Sequence, residues 1–185
     1  MLKFNYLEKK FNKYYIEKKK SFSPLEISHN LEIEEVFEFS YNMTFGKFGE
    51  HRAKRTGGNY SRKKGEIFAN TFQGKIAEFA LYDYLKNKNF SPTKPDLGTY
   101  KLGKWDESDL EVNNKKISIK STKAFGNLLL LEEKDWNNEG IYIPNKISYD
   151  FIVLLRIKPF CEEIMKKNKI LYSNEVNKEV QRGYL

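Results

Sequence analysis

A chain of 185 residues with one cysteine, Cys161, can form no internal disulfide and no cysteine-cluster metal site. Two histidines, His29 and His51, are too few for a multi-histidine zinc centre. No apolar run approaches the ~18–20 residues that span a bilayer, so a membrane-embedded role is not expected. The amino-terminal stretch MLKFNYLEKKFNKYYIEKKK carries lysine throughout and lacks the continuous apolar core of a signal peptide. These absences point to a reducing, cytoplasmic compartment.

What the chain has in excess is positive charge. Lysine and arginine number 33 against 25 aspartates and glutamates, a net +8 that suits a polyanionic partner such as nucleic acid or an anionic membrane surface. The Lys-, Asn-, Ile-, Phe- and Tyr-rich composition of AT-rich genomes would give the same total, so distribution is more telling than the sum. The cations gather in Phe45–Gly65 (FGKFGEHRAKRTGGNYSRKKG), where Arg52, Lys54, Arg55, Arg62, Lys63 and Lys64 alternate with glycines. This is a flexible basic loop. By itself it is more often a solvated surface than a specific reader of DNA.

Hydrophobic content of 39% with 31% charged residues fits one globular domain with a proper core. The expected arrangement is an amino-terminal part, residues 1–65, packed on a core formed by residues 66–185. Residues 1–20 show near-helical apolar spacing at Leu2, Tyr6, Leu7, Phe11, Tyr14 and Tyr15. Leu31–Phe39 fits a short helix or a strand. Glu66–Lys88 is the clearest helix, with Phe68, Phe72, Ile76, Ala80 and Tyr84 recurring every fourth residue. Asn89–Lys104 is loop-like. LLLLEEKDWNNEG, after Gly126-Asn127, fits a short helix or a buried strand. Tyr149–Lys158 (YDFIVLLRIK) predicts a buried strand ended by Pro159, and Phe160–Lys169 a helix. The final SNEVNKEVQRGYL shows no capping signal, as in a chain that continues. The order suggests a mixed sheet with helices on its faces, an α/β or α+β domain.

Asp109–Lys123 (DLEVNNKKISIKSTK) is the most informative segment. A two-residue turn at Asn114-Lys115 sets Asp109 opposite Lys120, and a turn at Asn113-Asn114 shifts the pairing by two residues. Either way Asp109, Glu111, Ser118 and Lys120 share one face, and Leu110, Val112, Ile117 and Ile119 take the other. An acid and a lysine on one face are the raw material of a metal-dependent phosphodiesterase, in which carboxylates hold Mg²⁺ and an ammonium assists the attacking water. They are equally an ordinary cross-strand charge pair, worth about 0.2–1 kcal/mol. Glu78, within the apolar run Ile76–Tyr82, supplies a further carboxylate. Such a group must lie at the margin of the stripe, be paired or bind a metal.

A helix acid, then an aspartate, then a strand returning with x-Lys resembles the PD-(D/E)xK nuclease superfamily, which includes many restriction endonucleases. The match covers about residues 66–170: Glu78 on the first helix, Asp109 at the second strand and Ser118-Ile119-Lys120 on the third. The resemblance implies an α-β-β-β-α-β, restriction-endonuclease-like core with Tyr149–Lys158 as its last strand. It also implies Mg²⁺, with Mn²⁺ able to substitute, held by Asp109 and Glu78, and Lys120 assisting the water. Two departures stand out. Ser118 occupies the position of an acid, so Glu133 or Glu132 from a following helix, Glu78 or Glu111 would supply the missing carboxylate. The literal Pro-Asp pair is Pro95-Asp96, which reads as a turn after proline. The implied activity is cleavage of double-stranded DNA by a homodimer, as in type II restriction enzymes, with Lys123 and the basic loop on phosphates. A structure-selective junction or repair nuclease and an inert nucleic-acid-binding module of the same fold are the alternatives.

Overall fold

The computed structural model describes residues 8–10, 13–15, 23–26, 33–46, 60–98, 108–126 and 128–167. The architecture is α+β, organised by one long helix that serves two apolar clusters. That helix, α2 (Lys64–Asn87), follows a shorter α1 (Ile33–Phe45). Glu66 fixes its start, accepting the Lys63 backbone N–H at 2.8 Å and placing a carboxylate at the positive end of the helix dipole. In α1, the buried Val36, Phe37, Ser40, Met43 and Thr44 recur at three- and four-residue spacing. The buried Ser40 hydroxyl is satisfied by donating to the Val36 carbonyl at 2.7 Å.

The amino-terminal half of α2 packs on α1 and on the short α3 (Cys161–Lys167). Phe37 meets Phe68 edge to face at 5.5 Å, and Ala69, Phe72, Cys161 and Met165 complete that cluster. The carboxy-terminal half lies on a three-stranded sheet of order β3-β4-β7. Its strands are β3 (Leu110–Val112), β4 (Lys115–Lys123) and β7 (Phe151–Ile157). Ala77 and Leu81 cover Leu110, Ile117 and Ile119, with Val112, Val153, Leu155 and Ile157 partly buried around them. β4 is the middle strand, antiparallel to β3 and parallel to β7, in register from Ile117 with Phe151 to Lys123 with Ile157. Between β4 and β7 lie a 3-10 turn (Glu133–Asp135) and a two-stranded hairpin, β5 (Ile141–Tyr142) with β6 (Ile147–Ser148).

Several expectations change. Glu8–Lys10 (β1) and Lys13–Tyr15 (β2) pair antiparallel, where near-helical spacing predicted a helix. So short a stretch rich in Tyr and Lys satisfies either period, and the local hairpin pairing decides. Of Leu31–Phe39, open between helix and strand, residues 33–39 lie in α1, and the first two are outside the described residues. LLLLEEKDW forms neither the helix nor the buried strand anticipated. Leu128, Leu129 and Leu130 are irregular and exposed, and only the 3-10 turn follows. The helix that the nuclease resemblance places between the third and fourth strands is therefore not formed there. The strand predicted over Tyr149–Lys158 is present as β7, but half-buried rather than buried, with Phe151 exposed, because it is the outermost strand of its sheet. The basic loop falls largely on residues 47–59, outside the described residues. Among the described residues no helix is long and apolar enough to cross a membrane.

Gly74 lies in the middle of α2, and a Cβ built on it would meet nothing within 4 Å. Replacing a mid-helix glycine whose side-chain space is open reduces the conformational freedom lost on folding. Gly74→Ala should therefore raise stability by about 0.5–1 kcal/mol, read as a higher urea midpoint at unchanged m-value. A lower midpoint would show that the flank is already filled.

Candidate active centre

The β3–β4 hairpin turns at Asn113-Asn114, both at positive φ (50° and 59°), the twist that a tight hairpin requires and that asparagine tolerates. Leu110 therefore pairs with Ile117, Glu111 with Lys116 and Val112 with Lys115. This is the shifted register, so Asp109 comes beside Ser118 and not directly opposite Lys120. The partition of faces is the expected one: Leu110, Ile117 and Ile119 are buried under α2, and Asp109, Ser118 and Lys120 share the other side.

A chain of hydrogen bonds links these three. Lys120 Nζ donates to Ser118 Oγ at 2.8 Å, and the Ser118 hydroxyl donates to Asp109 Oδ2 at 3.3 Å. The Ile119 backbone N–H donates to the same oxygen. Ser118 is 3% exposed, so its hydroxyl cannot fall back on bulk water and must use these partners. Ser118 thus acts as acceptor toward the lysine and donor toward the aspartate.

Glu78 approaches from α2. Its carboxyl is pushed up to about 7, chiefly by burial, and the neighbouring charge of Asp109 acts in the same direction. Lys75 and, more weakly, Lys120 oppose that rise. The fold thus gathers Glu78, Asp109, Ser118 and Lys120 from positions up to 42 residues apart into one electrostatic unit. Lys75, which sequence reasoning did not single out, joins them. Its Nζ lies 2.6 Å from Glu78 Oε2 and 2.9 Å from the Asp96 carbonyl. It also stands 4.9 Å from the centroid of the Phe39 ring. The available signal was its place three residues before a carboxylate on a packed helix, the spacing of a facing ion pair.

Of the remaining candidates, Glu111 is half-buried and tied to the loop before β3, its N–H donating to Thr93 Oγ1 and its carbonyl accepting the Thr93 N–H. Glu133 is exposed at the start of the 3-10 turn, and Glu132 precedes it as an extended residue, because the helix expected to carry them is absent. Asp96 has the turn role anticipated, with Oδ1 accepting the Gly98 N–H at 2.8 Å. Lys123 pairs with Glu162 of α3 at 2.9 Å and stands over the Phe160 ring. Of the basic loop, Arg62 is half-buried, Lys63 and Lys64 are exposed, and Lys64 also lies over Phe45. Arg52, Lys54 and Arg55 are outside the described residues.

An aromatic trio lies near the hairpin. The rings of Trp136, Tyr142 and Tyr149 meet at 5.2, 6.1 and 6.3 Å. The Tyr149 phenol is pushed up to about 12 by burial, then by the charge of Asp109 and by Tyr142. These residues lie in the connection between β4 and β7, Tyr142 on the short strand β5, and no periodic signal marks them.

No group of three or more His, Cys, Asp or Glu gathers among the described residues, so an all-protein cage is absent there. Mg²⁺ commonly takes only one or two carboxylates and fills its shell with water and substrate phosphate. Asp109 and Glu78 are the two carboxylates of the centre. Comparison with protein-family models, curated proteins and solved structures gives no significant match.

Glu78 has a consequence for stability. A carboxyl raised in the folded state binds more protons there than in the unfolded chain between its ordinary value of 4.5 and about 7. Its contribution to stability is therefore fullest below pH 4.5 and declines as pH rises to about 7. Relative to Glu78→Gln, the wild-type protein should lose about 1–3 kcal/mol across that window, measured by urea unfolding at several pH values. Parallel pH curves for the two proteins would contradict this.

Proposed function

We propose that the chain is a Mg²⁺-dependent deoxyribonuclease that hydrolyses phosphodiester bonds of double-stranded DNA, similar to type II restriction enzymes of the PD-(D/E)xK superfamily. The observation that carries the reading is the Lys120–Ser118–Asp109 hydrogen-bond chain on the hairpin, coupled electrostatically to the largely buried carboxyl of Glu78 on α2. An acid from a helix, an acid before a strand and a lysine on the returning strand converge, as phosphoryl chemistry with a hard cation requires.

Asp109 and Glu78 would hold the cation, with Mn²⁺ able to substitute. Bound there, it would polarise the scissile phosphate and lower the pKa of water. Lys120 is exposed, so its ammonium can reach a phosphate oxygen and offset the charge that develops on it. Ser118 orients that ammonium relative to Asp109. The Ile119 N–H fixes the aspartate against rotation, so the acid need not reorganise when substrate arrives. Arg62, Lys63 and Lys64, with Arg52, Lys54, Arg55 and Lys123, supply cations for DNA phosphates, and binding should weaken steeply with salt. The reading also entails a homodimer, to cut both strands at a symmetric site, and a cytoplasmic location.

One observation favours a second reading, an inert nucleic-acid-binding module. Each acid already accepts from a protein donor, Glu78 from Lys75 and Asp109 from Ser118 and Ile119. Incubation of supercoiled plasmid with Mg²⁺ separates the possibilities. Discrete linear fragments are expected. Cleavage confined to branched DNA would favour a structure-selective nuclease, and binding without cleavage the inert module. Asp109→Ala and Lys120→Ala should each lower the cleavage rate by at least about 10²-fold while leaving the thermal melt cooperative. Full activity in either variant would refute the site.

A further inference from the structure

The ammonium of Lys75 occupies surroundings that would suit a metal ion. Its side chain is 13% exposed, and its Nζ is cradled by a carboxylate oxygen of Glu78 at 2.6 Å and the backbone carbonyl of Asp96 at 2.9 Å. Carboxylate and backbone carbonyl oxygens are the ligands that hard divalent cations take. The face of Phe39, 4.9 Å away on α1, completes a cation-binding enclosure built from three separate parts of the fold. This holder is unlike that of Lys120, which is exposed and donates to a hydroxyl.

The charges of the centre consequently balance within the protein. With Glu78 ionised, Asp109 and Glu78 bring two negative charges, and Lys75 and Lys120 bring two positive ones. Glu78 Oε2 is occupied by Lys75, and Asp109 Oδ2 by Ser118 and Ile119. Among the described residues, that leaves Glu78 Oε1 and Asp109 Oδ1 as the carboxylate oxygens to offer an incoming ion. Two metal ions would need a surplus of negative charge that Lys75 removes.

We propose that Lys75 is a built-in counter-cation, a positioning residue that fills the place of a second cation beside Glu78 and so limits the centre to one loosely held divalent ion. The inference rests on the metal-dependent reading given above. It makes the supply of negative charge by substrate phosphate a condition for firm metal binding, so that metal and DNA bind cooperatively.

The test is titration of the full chain with Mn²⁺ at several pH values from 7 to 9, counting free ion by electron paramagnetic resonance, for the wild type, Lys75→Met, Lys75→Arg and Glu78→Gln. The wild type should bind at most one Mn²⁺ per chain. At the alkaline end, where Glu78 is ionised, removing the positive charge in Lys75→Met should tighten binding by about tenfold or more, or admit a second ion, since an uncompensated unit charge a few ångströms away is worth at least that much. Lys75→Arg keeps the charge and should bind as the wild type does, whereas Glu78→Gln should bind more weakly. One ion in the wild type with unchanged affinity in Lys75→Met would overturn the counter-cation role and leave the metal reading standing. Two ions in the wild type, or marked tightening in Lys75→Arg, would also overturn it, and both measurements stand if Lys75→Met does not fold. No Mn²⁺ in either the wild type or a folded Lys75→Met would overturn the metal reading itself.

Discussion

A carboxylate taken out of water must be given other partners, and much of this fold is arranged around doing so for Glu78. The helix that carries it is held on one half by aromatic contacts with α1 and on the other by the apolar face of the hairpin. Glu78 lies close to the changeover between the two, where neither cluster can accept a charge without compensation. Lys75 provides that compensation from the same helix, and the loop at Asp96 and the ring of Phe39 hold Lys75 in turn. α1, α2 and the loop before the sheet are thereby joined by an electrostatic requirement as well as by packing.

β4 makes the complementary contribution. As the middle strand it is hydrogen-bonded on both sides, so its backbone has little freedom to drift. Its alternating side chains divide two tasks. Ile117 and Ile119 anchor the strand to α2, while Ser118 and Lys120 between and beyond them carry the polar chain to Asp109. A strand so constrained is a more exact holder of functional groups than a loop. The Lys115–Asp150 ion pair and the Asp150 contacts with the Lys116 backbone further tie the start of β4 to the residue preceding β7.

Much of this was legible in the sequence where a long period or a strict alternation left one solution. The four-residue recurrence from Phe68 to Tyr84 marked α2, and Leu110, Ile117 and Ile119 marked the buried face of the hairpin. The pairing register was not fixed by alternation, because a shift of two residues leaves every side chain on its own face. The backbone preference of asparagine for positive φ decided between the two turns. Four consecutive leucines carried no period, and their place in the exposed connection depends on the route from β4 to β7, which local sequence does not encode. Glu78, Asp109, Ser118 and Lys120 could be nominated because acids and lysines on otherwise apolar elements are conspicuous. Lys75 escaped notice because a lysine beside a glutamate on a helix usually reads as a solvated pair, and only the closure of Asp96 and Phe39 over it reveals otherwise.

The turn at Asn113-Asn114 has a wider consequence. It contains no acid, base or nucleophile, yet it determines whether Asp109 meets a hydroxyl or an ammonium. Moving the bend by one residue would keep the apolar face packed and every site residue in the chain, while replacing a serine relay with a direct ion pair. The chemistry of this hairpin can therefore diverge through its punctuation alone, so related chains could share all four polar residues and still present different centres.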